Sequence, residues 1–184
     1  ESDESLLEIF FDKGDLSEDE LRSGLHQALK STGLIPVFCV SGESNIGVRR
    51  MMDIMAKYAP CAGDFKEVVG TKPGSDKKIT HGPSINDPLA AMVFKTISEE
   101  HIGEMSFFRV YSGKVNVGED LQNTSRNQSE KMRQVYFMNG KNRKDAAQLI
   151  AGDIGAALKL KNTHTGDTLS HSKQPIQLPG ILFP

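Results

Sequence analysis

Two cysteines, Cys39 and Cys61, are all the chain carries. They are too few for a disulfide framework, and a buried thiol and a loop thiol in a reducing compartment are the expectation. No stretch approaches the roughly 18 apolar residues of a membrane span. No basic-then-apolar signal peptide is present, and an opening on Glu1, ESDESLLEIF, reads as cut from something longer. Neither sign of charge dominates, with 22 Lys and Arg against 24 Asp and Glu. The glycine-rich phosphate cradle G-x-x-x-x-G-K-[ST] occurs nowhere, which excludes phosphate binding of that kind by this chain alone. Histidines 26, 81, 101, 164 and 171 show no metal-ligand spacing to each other or to the cysteines. Ser41, Ser106 and Ser112 lack a His and Asp arrangement that a sequence can show. No catalytic residue and no metal site are therefore expected.

The charge that is present is unevenly spread. Residues 1–64 hold 6 Lys and Arg against 12 Asp and Glu, a net −6, and residues 65–184 hold 16 against 12, a net +4. A mildly basic half suits contact with a polyanion but falls short of a dedicated nucleic-acid binder.

The acidic part reads as helix, helix, strand, helix. Leu6, Leu7, Ile9, Phe10 and Phe11 cluster before a Lys13-Gly14 stop. Ser17 with Glu20 three residues on fits a capping box, and Leu21, Leu25, Ala28 and Leu29 share the face of the next helix. Residues 35–40, IPVFCV, form a continuous apolar run expected as a strand buried on both faces. After the loop SGESNIG, Val48, Met51, Met52, Met55 and Tyr58 mark another amphipathic helix. One such strand needs neighbours that this chain does not supply.

Residues 61–86, rich in Gly, Pro, Ser and Lys, read as a linker or an ordered crossing loop. From residue 87 the pattern is all-β. The stretch 103–113, GEMSFFRVYSG, is dense in aromatic and β-branched residues, and KVNVGEDLQN after it puts a Val-Gly-Glu-Asp turn between two extended segments, which reads as a hairpin. A polar turn, SRNQSEK, precedes a strand and the tight turn Asn139-Gly140. In 152–161, Ile154, Ala156, Leu158 and Leu160 alternate with Gly155, Lys159 and Lys161, a half-buried strand pattern. His164 and Asp167 read as turn chemistry, and 174–184 as an extended, proline-edged tail. Short strands at this spacing suggest a small barrel or sandwich.

Two of these motifs carry a resemblance. FFRVYSGKVNVGEDLQN resembles the opening hairpin of the second domain of elongation factor G, and AGDIGAALKLKNTHTGDTL resembles that domain's closing hairpin. The resemblance implies a mainly β fold, a six-stranded antiparallel translation-factor β-barrel over 87–184. Before it, 1–60 would be an α/β remnant of a GTP-binding domain, with 61–86 as the linker. It further implies a cytoplasmic translational GTPase as the parent, binding GTP and Mg and promoting tRNA and mRNA movement on the ribosome. The remaining domains of the parent and the small-subunit rRNA would be its partners, with no membrane. The alternatives are a ribosomal protection or peptide-release-factor-type GTPase, or a stand-alone β-barrel binding module.

The same resemblance places Ser41 and Gly42 in the guanine-reading loop of the parent, where the family has Ser-Ala. No cofactor and no activity are expected of the fragment itself. Asn142 to Asp145 only superficially matches the guanine-reading Asn-Lys-x-Asp, because Arg143 stands in the Lys position and a hairpin turn precedes it. The candidate rRNA contacts are Lys131, Arg133, Lys141, Arg143 and Lys144, flanking Tyr136 and Phe137, with Glu130 and Asp145 as acidic ends. Phe137 stands where the family pattern leads one to expect Arg.

Overall fold

The structure is a computed structural model describing residues 4–99 and 103–182. Its contacts divide the chain into two units, Glu1–Cys61 and Ala62–Pro184.

The described residues of the first unit form three helices, α1 (Glu4–Lys13), α2 (Glu18–Lys30) and α3 (Val48–Tyr58). Each forms for a local reason. Gly14, at φ 75°, ends α1 by turning its amide back to the Phe10 carbonyl at 2.8 Å. Ser17 caps α2 as its spacing predicts. Its hydroxyl accepts from the Glu20 amide at 3.3 Å, and the Glu20 carboxylate accepts from the Ser17 amide at 2.8 Å. Lys57 of α3 reaches Glu18 of α2 at 2.7 Å, and that hydrogen bond holds the Glu18 carboxyl below its ordinary pKa.

The strand expected at 35–40 does not form. The segment has no regular secondary structure and pairs with nothing among the described residues, and Ile35 and Val37 are 82% and 86% exposed. A β-strand is completed by hydrogen bonds to a neighbour, and the nearest pairing is a single bridge between Ser41 and Ile46. In place of an α/β layer, the described residues of this unit form helices and loops.

Among its described residues, the second unit is antiparallel β apart from one 3-10 turn at Ala62–Asp64. Its strands are β1 (Val68–Thr71), β2 (Lys78–His81), β3 (Ala90–Glu99), β4 (Gly103–Ser112), β5 (Lys114–Asn116), β6 (Asp120–Asn123), β7 (Gln128–Lys131), β8 (Val135–Asn139), β9 (Asn142–Ala146), β10 (Gln148–Ile150), β11 (Ile154–Leu158) and β12 (Thr168–Ser170). Eight of them run in the order β7-β6-β12-β3-β4-β11-β8-β9, while β5 pairs with β10 and β1 with β2. One apolar core takes side chains from β3, β4, β5, β6, β8, β9, β10, β11 and β12, among them Phe108, Leu121, Leu149 and Leu169. A core lined from all sides by one antiparallel system is a barrel interior.

The strand count exceeds six because long strands are interrupted. Gly113, at φ 72°, separates β4 from β5 where the backbones of Asp87 and Leu89 leave no room for a Cβ, the nearest atom lying at 2.7 Å. The two expected hairpins are also corrected. The strands on either side of the turn 117–119 go to different partners, β5 to β10 and β6 to β7 and β12. Glu119 fixes that corner by accepting from the Asn116 amide at 2.6 Å. Likewise β11 lies between β4 and β8, and β12 between β3 and β6, so the segment joining them crosses the barrel instead of folding back.

Residues 61–86 are more than a linker. The β1–β2 hairpin forms there, Thr71 bridges Gln177, and Val68 packs with Ala90, Ile176 and Leu178 in a second apolar cluster. The alternation read over 152–161 holds only in part: Ile154 is exposed, whereas Gly155 to Leu158 are all buried. Ala157 faces the barrel core and Ala156 an outer cluster with Met105, Tyr136 and Leu158, so β11 is covered on both sides.

Candidate nucleic-acid interface

The hairpin β8–β9 stands at one end of the strand order, so β9 has a free edge. Its register pairs Val135 with Ala146, Tyr136 with Asp145, Phe137 with Lys144, Met138 with Arg143 and Asn139 with Asn142. Gly140 and Lys141 make the turn, with Gly140 at φ 57°. Val135 and Ala146 anchor the base of the hairpin in the core, and Tyr136 is buried on the outer face. Beyond those anchors Asn142, Arg143, Lys144 and Asp145 are exposed.

Cross-strand partners share a face. Arg143 therefore lies on the face of Tyr136 and Met138, and its guanidinium sits 5.6 Å from the Tyr136 ring centroid. Lys144 lies on the opposite face with Phe137, which is 40% exposed. Lys141 projects from the tip. The hairpin thus shows cations on both faces and at its turn, with exposed Phe137 between them.

Lys131 and Arg133 belong elsewhere. Lys131 ends β7 at the opposite end of the strand order and pairs with Asp120 at 3.5 Å, and Arg133 lies on the short crossing into β8. The five residues of β8, at about 3.3 Å each, put roughly 16 Å between that crossing and the tip carrying Lys141. The sequence groups the five basic residues by nearness along the chain, and the structure divides them between the two ends of β8.

Glu130 is also misjudged by its neighbours in sequence. It is buried, and its carboxylate accepts from the Lys161 amide at 3.0 Å and the Thr163 hydroxyl at 2.9 Å, and from the Asn162 amide. The polar run 128–131 is strand because Glu130 turns inward to these donors. The loop it holds presents Lys159 and Lys161, both exposed, beyond the end of β11. Lys159 has φ 58°, and its amide donates to the Glu104 carbonyl at 2.9 Å. The alternating pattern of 152–161 hides this pair as outward-facing strand residues. Asp167 supports the same loop, accepting from the His164 amide at 2.8 Å, Arg126 Nε at 2.7 Å and Asn123 Nδ2 at 2.9 Å. Turn chemistry is what His164 and Asp167 perform.

Ser41 and Gly42 sit in a closed loop of the first unit. Ser41 and Ile46 exchange two backbone hydrogen bonds at 3.0 Å, and the Ser44 amide donates to Ser41 Oγ at 3.2 Å. The Ser41 amide is thus spent inside the loop. A Cβ at Gly42 would meet nothing within 4 Å, so Ala fits there as readily as Gly. No group of three or more His, Cys, Asp or Glu able to hold a metal occurs among the described residues; His101 lies outside them. His81 is buried on β2, and desolvation pushes its imidazole pKa down. No helix among the described residues is long and apolar enough to cross a membrane.

Comparison with known proteins agrees with the barrel fold. Residues 88–172 match the family model of elongation factor G domain 2. The whole chain superposes on part of a crystal structure of a protein from Thermus thermophilus, with a TM-score of 0.75 and 23% identity, a likeness that shows a shared fold. It covers 100% of this chain and 25% of that one, so the chain spans a quarter of that protein's length. The antiparallel barrel, the two sequence motifs and the matched span coincide, and residues 88–172 of this chain are similar to elongation factor G domain 2.

Proposed function

We propose that this chain is part of a translational GTPase resembling elongation factor G, and that its barrel leans on the RNA backbone of the small ribosomal subunit through β8–β9. The observation that carries the reading is a free, exposed edge bearing Lys141, Arg143 and Lys144 on a barrel similar to that family's. Phosphate contacts need spread cations more than a motif, and a hairpin with cations on two faces and at its tip supplies them. Lys131 and Arg133, with Lys159 and Lys161, form a second basic end that extends the footprint.

The parent would work in the cytoplasm, moving tRNA and mRNA on the ribosome, with its remaining domains as partners. GTP and Mg would be held there by phosphate-binding motifs that this sequence lacks. Ser41 and Gly42 would give only backbone contacts on the base side. Gly42 has the steric freedom of the family's Ala, but the inward Ser41 amide leaves little else to offer. The chain itself is expected to hydrolyse nothing.

Replacing Lys141, Arg143 and Lys144 together by Gln in the full-length parent should weaken ribosome association, measured by co-sedimentation across a salt series. Each lost phosphate contact should lower the salt slope by roughly 0.7 to 0.9. The barrel should stay folded, since exposed charges contribute at most about 1 kcal/mol each. Unchanged affinity at low salt would reduce β9 to a charged strand edge that only prevents edge-to-edge pairing.

A further inference from the structure

The Arg of FFRVYSG has no part in the basic surface above. Arg109 and Met92 are register partners on the outer face of β4 and β3, and Tyr111 follows two residues along on the same face. Phe65, Val68 and Leu178 stand around them and leave a cavity of about 400 Å³. Gly152, at φ 98°, closes one side against Ala62, where a Cβ would approach to 3.1 Å. That volume falls in the range of small-molecule sites, as does a mostly apolar wall with few polar groups.

Arg109 is the one cation on this wall and Glu67 the one anion. The guanidinium lies 5.1 Å from the Tyr111 ring centroid, and no carboxylate among the described residues comes within ion-pair distance of it. Its Nε is buried and has no hydrogen-bond partner among them. A buried N–H without an acceptor is an unfavourable state. Phe65 and Tyr111 remain 50% and 37% exposed, so aromatic surface is open to an apolar group.

We propose that this cavity binds a monocarboxylate with an aromatic or alkyl body, its carboxylate on Arg109 and its body against Phe65 and Tyr111. One guanidinium matches one negative charge, and Glu67 on the same wall disfavours a second. Phosphate, with more charge and no apolar body, fits poorly.

The test is an NMR titration of the isotope-labelled 184-residue chain with 3-phenylpropionate, with 3-phenylpropanamide and inorganic phosphate in parallel. Saturable shifts are expected at the Arg109 Nε–H, the Met92 methyl and the Tyr111 ring. The amide analogue should bind at least tenfold more weakly. Arg109→Gln should cost at least tenfold for the carboxylate and leave the amide analogue unchanged. Arg109→Lys keeps the charge and serves as the second variant if Gln perturbs folding; it should retain part of the preference for the carboxylate. Equal binding of acid and amide, shifts confined to other surfaces, or tighter binding of phosphate would each overturn the proposal.

Discussion

Ala28 is the only buried side chain among the described residues of the first unit, whereas Phe108, Val110, Leu149 and Leu169 of the second are fully enclosed. Both stretches are rich in apolar residues, so composition does not separate them. The helices of the first unit satisfy their backbone hydrogen bonds within themselves. Burying Leu21, Leu25, Met52 and Met55 needs facing surface, and these remain between 36% and 60% exposed. The barrel closes on itself, so each strand supplies the surface that another requires. Secondary structure comes from neighbours in sequence and burial from partners in space, and only the second unit has both.

The contrast predicts very different sensitivities. Phe108→Ala should cost the barrel about 3–5 kcal/mol, because a fully buried ring leaves a cavity that surrounding strands fill poorly. Urea unfolding followed by near-ultraviolet circular dichroism would measure it, and a loss below about 1 kcal/mol would mean the core is loosely packed. Glu130→Gln should cost about 1–3 kcal/mol, since a neutral amide cannot accept from all three donors. Amide exchange should quicken first at Lys161 and Asn162; uniform quickening across the barrel would argue against a local role. Ser17→Ala should remove about 1 kcal/mol of helix stability from α2. Far-ultraviolet dichroism would report that loss while the barrel's unfolding midpoint stays fixed. A shifted midpoint would show the units to be energetically coupled.

What the sequence displays follows the same division. The capping box of Ser17 and Glu20 and the Lys13-Gly14 stop are contained within a turn or two, and both are readable. The barrel class is readable because strand-length apolar runs and turn residues recur between 87 and 170. Partner choice is not, because nothing local in KVNVGEDLQN tells β5 to join β10 instead of β6. The run 35–40 misleads for the opposite reason: its residues suit a buried strand, but no neighbouring strand stands beside it among the described residues. At the interface, Lys141, Arg143 and Lys144 are legible as an exposed hairpin. The inward turn of Glu130 and the separation of Lys131 and Arg133 depend on closure of the barrel, which no window of sequence contains.

The unpaired segment 35–40 is expected to govern how copies of the chain meet one another. It offers exposed apolar residues with no strand beside them among the described residues, interrupted only at Pro36, which has no amide hydrogen. Such a segment can take a second copy of itself as the missing neighbour. That encounter is bimolecular, so its rate rises with the square of concentration while unfolding of the barrel does not. Light scattering of stored solutions at increasing concentration should therefore grow well below the barrel's melting temperature, and Val37→Lys should suppress it. The time the chain stays in solution is then expected to follow how crowded its solution is, and a more stable barrel is not expected to lengthen it.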